Sequence, residues 1–219
     1  VPRARVTDRV VRSPLCEWGA TPTARTAAER AGAGAAMGLL SMLRSISGNK
    51  KGGKQARILV LGLDNAGKTT ILKAMSGETV DQITPTQGFN IKTLKDNDTE
   101  LTVWDIGGQQ SIRPYWRNYF EHTSCLVYVV DSSDRKRAEE CSKELTTLMA
   151  DDQLAGVPLL VFANKQDLAT AMKADEVSEK LSLLSVRDRP WQIQGCSAKE
   201  NQGLTEGMAW VKEQIEDSK

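Results

Sequence analysis

The stretch Gly62-Leu63-Asp64-Asn65-Ala66-Gly67-Lys68-Thr69 matches G-x-x-x-x-G-K-[ST], and it lies between an apolar run from Arg57 to Leu61 and a helical pattern beginning at Thr70. Strand, loop and helix in that order describe a phosphate cradle. The backbone must fold tightly around the anion and aim successive N–H groups at it from a helix N-terminus, which calls for small residues. Gly62 and Gly67 permit the wrap, while Asp64, Asn65, Ala66 and Thr70 complete it. Lys68 is placed to reach the β- and γ-phosphates, and the Thr69 hydroxyl to coordinate Mg²⁺, a hard cation that prefers oxygen. The plain alternative is a glycine-rich turn with a chance lysine. The flanking strand and helix argue against it.

Two further apolar runs, Leu126 to Val130 and Val157 to Ala163, suit strands buried on both faces. Helical periods intervene, with Ala138, Cys141, Leu145, Leu148 and Met149 in one and Leu204, Met208, Val211 and Ile215 in another. The alternation predicts an α/β domain with a parallel sheet between helices. From Phe89 to Asp105, apolar and polar residues alternate around Lys95-Asp96-Asn97-Asp98, which predicts a hairpin at the sheet edge.

The domain is expected over residues 55–219. Residues 1–36, with six arginines among many Ala, Gly, Ser and Thr and no strand or helical period, are set apart as an unstructured leader. Three readings of it stand open: translated untranslated sequence or an expression scar, a basic targeting segment, and a disordered tail. Met37-Gly38-Leu39-Leu40 resembles a start and favours the first. Over 37–54 the spacing of Leu39, Leu40, Leu43 and Ile46 predicts an amphipathic helix followed by a basic linker. It reads either as a helix packed permanently on the domain or as one that leaves it for a membrane or partner. A net charge of +1 gives no field for nucleic acid, and Cys16, Cys125, Cys141 and Cys196 lack paired ligand spacing, which favours reduced thiols and a cytoplasmic setting.

A second acidic element is expected on a neighbouring strand, and Leu101-Thr102-Val103-Trp104-Asp105 supplies it. Asp105 is the candidate for the second shell around Mg²⁺. Directly after it, Gly108 offers a bare N–H to the γ-phosphate and Gln109 a side chain to hold an attacking water. A phosphate loop alone leaves the base open, since nucleotide kinases and ATPases share it. Asn164-Lys165-Gln166-Asp167 closes that question, because the Asp167 carboxylate can accept both N1–H and N2–H of guanine, a donor pair adenine lacks. Lys165 would lie along the base plane, and in Cys196-Ser197-Ala198 the Ala198 N–H is expected to meet guanine O6. A phosphate-transferring kinase, the rival reading, has no use for Asn164 to Asp167.

These motifs, with Thr84-Pro85-Thr86-Gln87-Gly88-Phe89-Asn90 and Arg113-Pro114-Tyr115-Trp116, strongly resemble the Ras-like GTPases and, among them, the ADP-ribosylation-factor-like branch, from Met37 to about Glu216. The resemblance implies a mostly parallel six-stranded sheet with one antiparallel edge strand and helices on both faces. It implies GTP and GDP as ligands with Mg²⁺, and slow hydrolysis accelerated by an activating protein. It makes Thr86 the threonine that meets Mg²⁺ only in the GTP form, Gly108 the γ-phosphate sensor, and Phe89, Trp104 and Tyr119 an exposed patch read by effectors. Spacing alone leaves ordinary core open for those aromatics. It further implies that GTP slides the hairpin by two residues and expels the helix of residues 39–46. Because side chains alternate with period two, such a slip keeps every face pointing as before.

The implied partners are effector proteins such as lipid-binding carriers, an activating protein and an exchange factor. The role is release of lipidated cargo by a monomer, at a cilium, the Golgi or microtubules. A branch acting on tubulin-folding cofactors and a nucleotide-gated scaffold are the alternatives. The pattern M-G-x-x-x-[ST] fails at Met42, so no myristoyl group is expected, and any membrane contact through residues 39–46 is weak and reversible.

Overall fold

The computed structural model describes residues 7–9, 54–81, 83–96 and 99–217. The amphipathic helix and linker expected over 37–54 lie outside these residues apart from Lys54, as does most of the leader.

The phosphate-loop strand, β2 (Lys54–Leu61), sits at the centre of the sheet. It pairs in parallel with β4 (Thr99–Ile106) on one side and β5 (Cys125–Asp131) on the other. Beyond β5 follow β6 (Leu159–Asn164) and β7 (Trp191–Gly195), again parallel. On the far side β3 (Phe89–Asp96) runs antiparallel to β4, with Phe89 opposite Ile106 and Asn90 opposite Asp105. These six strands and the helices on both faces make a phosphate-loop GTPase fold. A seventh strand, β1 (Thr7–Arg9), pairs antiparallel with β3, so three residues of the leader join the sheet that the sequence reading left them out of. An edge strand presents unpaired N–H and C=O groups, and an extended segment needs no hydrophobic pattern to pair with them.

Period-two alternation divides the core. Ile58, Val60, Val127 and Val129 face one side, where α1 (Lys68–Met75) and α4 (Leu204–Asp217) cover them with Ile71, Leu72, Met208 and Val211. Leu59, Leu61, Leu126 and Tyr128 face the other, against Leu145 and Leu148 of α2 (Ala138–Met149) and Val177 of α3 (Ala174–Lys180). Strands β5 and β6, covered on both faces, are apolar almost throughout, while every residue of the edge strand β7 is half-buried. Helix α3 is short and its apolar period too brief for a reading by pattern. Because the central strands are parallel, Gly62, Asp105, Asp131, Asn164 and Cys196 all emerge at one rim of the sheet, the usual place for a ligand crevice.

Candidate functional site

The loop after β2 wraps back on itself because its backbone enters the left-handed region at Asn65 (φ 61°) and Gly67 (φ 94°). Gly67 is required twice over, since a Cβ there would also lie 2.3 Å from Asn164 Nδ2. Helix α1 starts at the next residue, so its free N–H groups face the loop. Lys68 is 6 % exposed, and its ammonium donates to the Gly62 and Leu63 carbonyls at 2.9 and 2.8 Å. Burial lowers its pKa to about 8, against the pull of Asp105 and Asp64.

Below the loop, three oxygen-bearing side chains from separate elements converge. The Thr69 hydroxyl donates to Asp105 Oδ2 at 2.7 Å and stands 2.8 Å from the Thr86 hydroxyl. Asp105 is fully buried, and its Oδ1 has no partner. Burial raises its pKa, opposed by the hydrogen bonds from Thr69 and Asn90. A buried carboxylate oxygen left without a donor, beside two hydroxyls, suits a hard cation that takes oxygen ligands and brings its own water. The residues present therefore fit Mg²⁺, with Thr69 and Thr86 to hold it and Asp105 behind them. Asn90, given no role by the sequence, donates to Asp105 Oδ2 at 3.1 Å from the opposite position on β3. No local pattern marks it, because the contact arises only when the hairpin forms.

The segment carrying Thr86 is held against the end of β4, with Gly107 N–H donating to the Gly88 carbonyl at 2.9 Å. Gly108 presses on the phosphate loop so closely that a Cβ would lie 2.3 Å from the Gly62 oxygen and 2.5 Å from the Asp64 nitrogen. Its carbonyl accepts the Asp64 N–H at 3.2 Å. Gln109 follows, half exposed. Trp116 in the 3-10 turn Arg113–Tyr119 is buried and donates its indole N–H to the Gly107 carbonyl at 2.9 Å.

At the base end, Ser197 Oγ donates to Asp167 Oδ1 at 2.7 Å and holds that carboxylate in place. Lys165, in the left-handed region at φ 67°, pairs with Asp131 at 2.6 Å and so lays its stem across the rim. Asn164 joins the two ends of the site. Its Nδ2 donates to the Ala66 carbonyl at 2.9 Å and its Oδ1 accepts the Ala198 N–H at 3.0 Å. The N–H of Ala198, expected to meet guanine O6, thus lies beside Asn164 at the base end of the rim.

The three aromatics fall between exposed patch and ordinary core. Phe89 and Trp104 stack at 5.5 Å between ring centroids, Tyr119 lies 5.4 Å from Phe89, and the Arg57 guanidinium covers Trp104 at 4.1 Å. All three rings are half-buried. Two arginines that the sequence reading gave no function, Arg113 and Arg137, reach Asp64 of the phosphate loop. No helix among the described residues is long and apolar enough to cross a membrane.

Comparison with known proteins agrees with this geometry. The ADP-ribosylation factor family matches residues 39–215. ADP-ribosylation factor-like protein 3 of Chlamydomonas reinhardtii is 62% identical over 179 residues, which is 82% of this chain and 99% of that protein. The protein of the same name from Caenorhabditis elegans is 53% identical over 176 residues, 80% of this chain and 95% of its own. Among solved structures, the Arl6 small GTPase of Trypanosoma brucei with bound GppNp superposes with a TM-score of 0.70 at 32% identity, over 76% of this chain and all of that one.

Proposed function

Because the chain belongs to the ADP-ribosylation factor family, and is a small GTPase that binds GTP and GDP with Mg²⁺ and works with effectors, activating proteins and exchange factors, we propose that its GTP form engages lipid-binding carriers and releases lipidated cargo in protein trafficking, including traffic to cilia. The observation that carries the switch is the meeting of Thr69, Thr86 and Asp105, since Thr86 comes from a loop that precedes β3 and lies outside the regular elements. The carrier role rests on the sequence resemblance and on the half-buried aromatic cluster. Phe89 and Trp104 sit on the hairpin that the resemblance makes movable, so a slide of that hairpin remodels the cluster with it.

In this reading the residues divide the work. Lys68 and the N–H groups of residues 64–70 bind the phosphates, and Asp167 selects guanine with Ser197 fixing one of its oxygens. Mg²⁺ held by Thr69 and Thr86, with Asp105 behind them, would supply neutralisation of phosphate charge. Gly108 offers its N–H to the γ-phosphate, and Gln109 orients the attacking water. Nothing in the chain need form a covalent bond to the transferred group; placement alone lowers the barrier. We place the protein in the cytoplasm as a monomer.

A carrier loaded with a fluorescent lipidated peptide tests the proposal. Addition of the protein bound to a non-hydrolysable GTP analogue is expected to release the peptide, and the GDP form is expected not to. Release by neither form, with exchange confirmed, would remove the carrier role and leave the GTPase.

A further inference from the structure

Arg113 stands four residues after Gln109 and opens the 3-10 turn Arg113–Tyr119. Its side chain is 7% exposed, so its donors need partners within the protein. Nε donates to the Gly108 carbonyl at 2.9 Å. Nη1 donates to Glu140 at 2.7 Å and to Glu144 at 3.0 Å, two carboxylates one turn apart on α2. Nη2 lies 3.5 Å from Asp64 Oδ1, whose nearer partner is Arg137 Nη1 at 3.0 Å. One planar group thus touches the phosphate loop, the chain just before Gln109, and a helix on the far side of that chain.

The Gly108 carbonyl and the Gln109 N–H belong to a single rigid peptide plane. Fixing the oxygen therefore fixes the direction in which the chain enters Gln109. On the exit side the Gln109 carbonyl accepts the N–H groups of Ile112 and Arg113 at 2.8 and 3.2 Å. Gln109 is half exposed and projects from the rim, yet its backbone is held on both sides, and Arg113 contributes to each hold. A lysine could meet the carboxylates but could not span both directions from one rigid plane.

We infer that Arg113 is a positioning residue for GTP hydrolysis: by bridging the Gly108 carbonyl to Glu140 and Glu144 it sets the orientation of Gln109 and makes α2 part of the hydrolytic machinery. The inference rests on the reading of Gln109 as the residue that orients water. It assigns a catalytic consequence to two glutamates on α2, outside the phosphate loop and the segments that read the base.

The test compares Gln109→Leu, Arg113→Lys and the pair Glu140→Gln with Glu144→Gln. Each full-length protein is loaded with γ-labelled GTP, and hydrolysis per bound nucleotide is followed over one turnover. Dissociation constants for GDP and GppNHp and the melting temperature are measured beside it. Arg113→Lys and the paired glutamines are expected to slow hydrolysis by about tenfold or more, as a small misplacement of a catalytic group does, with both nucleotide affinities within about threefold of the parent. The glutamate side chains are 40% and 30% exposed, so that pair keeps the test open if Arg113→Lys folds poorly. Hydrolysis at the parent rate in the glutamine pair, or a loss that only follows affinity and melting temperature, overturns the inference. If Gln109→Leu hydrolyses like the parent, the assignment of Gln109 falls; if Gln109→Leu is slow while the other variants are normal, only the role of Arg113 does.

Discussion

Replacing Gly108 with alanine separates the two nucleotides by a route that the geometry makes quantitative. The backbone of Gly108 is not in the left-handed region, so alanine meets no conformational objection there. The obstacle is contact alone. A new Cβ would lie 2.3, 2.4 and 2.5 Å from the Gly62 oxygen, the Leu63 carbon and the Asp64 nitrogen, all backbone atoms of the phosphate loop. Ordinary contact begins near 3.4 Å, so the chain at residue 108 must withdraw by about 1 Å, which forfeits the hydrogen bond that its N–H would give to a γ-phosphate. A hydrogen bond to a charged group contributes about 1.5–3 kcal/mol, equivalent to a roughly 10- to 150-fold preference. GDP has no γ-phosphate and does not use that bond. Gly108→Ala should therefore bind GDP nearly as the parent does and lose affinity for GppNHp by that factor, measured by competition against a fluorescent guanine nucleotide. Equal losses for both nucleotides, or none for either, would refute the argument that Gly108 approaches the loop for the sake of the third phosphate.

Two other outcomes follow from the site. Asp167→Asn exchanges an acceptor pair for a mixed amide, so GDP affinity should fall by about a hundredfold or more while xanthosine diphosphate gains, as read by calorimetry; unchanged preference for guanine would move base selection elsewhere. Burial pushes the Cys125 and Cys196 thiols up to about 12 and Cys141 to about 11. Since thiolate is the reactive form, and a group of pKa 12 is about one part in ten thousand ionised at pH 8, iodoacetamide should leave these three unlabelled in the folded protein and label them after denaturation, as peptide mass spectrometry would show.

What was legible in the sequence was contiguous. The phosphate loop, Asn164 to Asp167 and the three buried strands each occupy one short stretch, because each is a local solution to a local demand: a tight backbone turn, a base edge, or burial on two faces. The alternation of those runs with helical periods pointed to a parallel sheet between helices, and the six-stranded topology came from the resemblance to Ras-like GTPases. Contacts that cross the chain left no such trace. Arg113 reaches 27 and 31 residues to its glutamates, Arg137 reaches 73 back to Asp64, and Asn90 reaches Asp105 only through the hairpin. An arginine in a polar loop looks the same in sequence whether it is solvated or buried. The bond from the Ala198 N–H to Asn164 escaped for a related reason, since 34 residues separate the two and only the fold brings them together. The pairing of Thr7–Arg9 escaped because strand addition at an edge uses backbone groups that every residue has.

The place of Asn164 bears on how a nucleotide leaves. One amide grips the Ala66 carbonyl with its nitrogen and the Ala198 N–H with its oxygen, so the loop around the phosphates and the loop around the base are tethered through a few ångströms of side chain. Disturbing either loop tugs on the other. Escape is then closer to a clasp springing open than to a zip undone tooth by tooth, and a protein that accelerates exchange has no need to enter the crowded phosphate end. It can pull at the exposed residues 199–201, which directly follow the buried Ser197 and Ala198, and let Asn164 carry the disturbance inward. Slow spontaneous release and rapid release on demand would thus be two properties of the same knot.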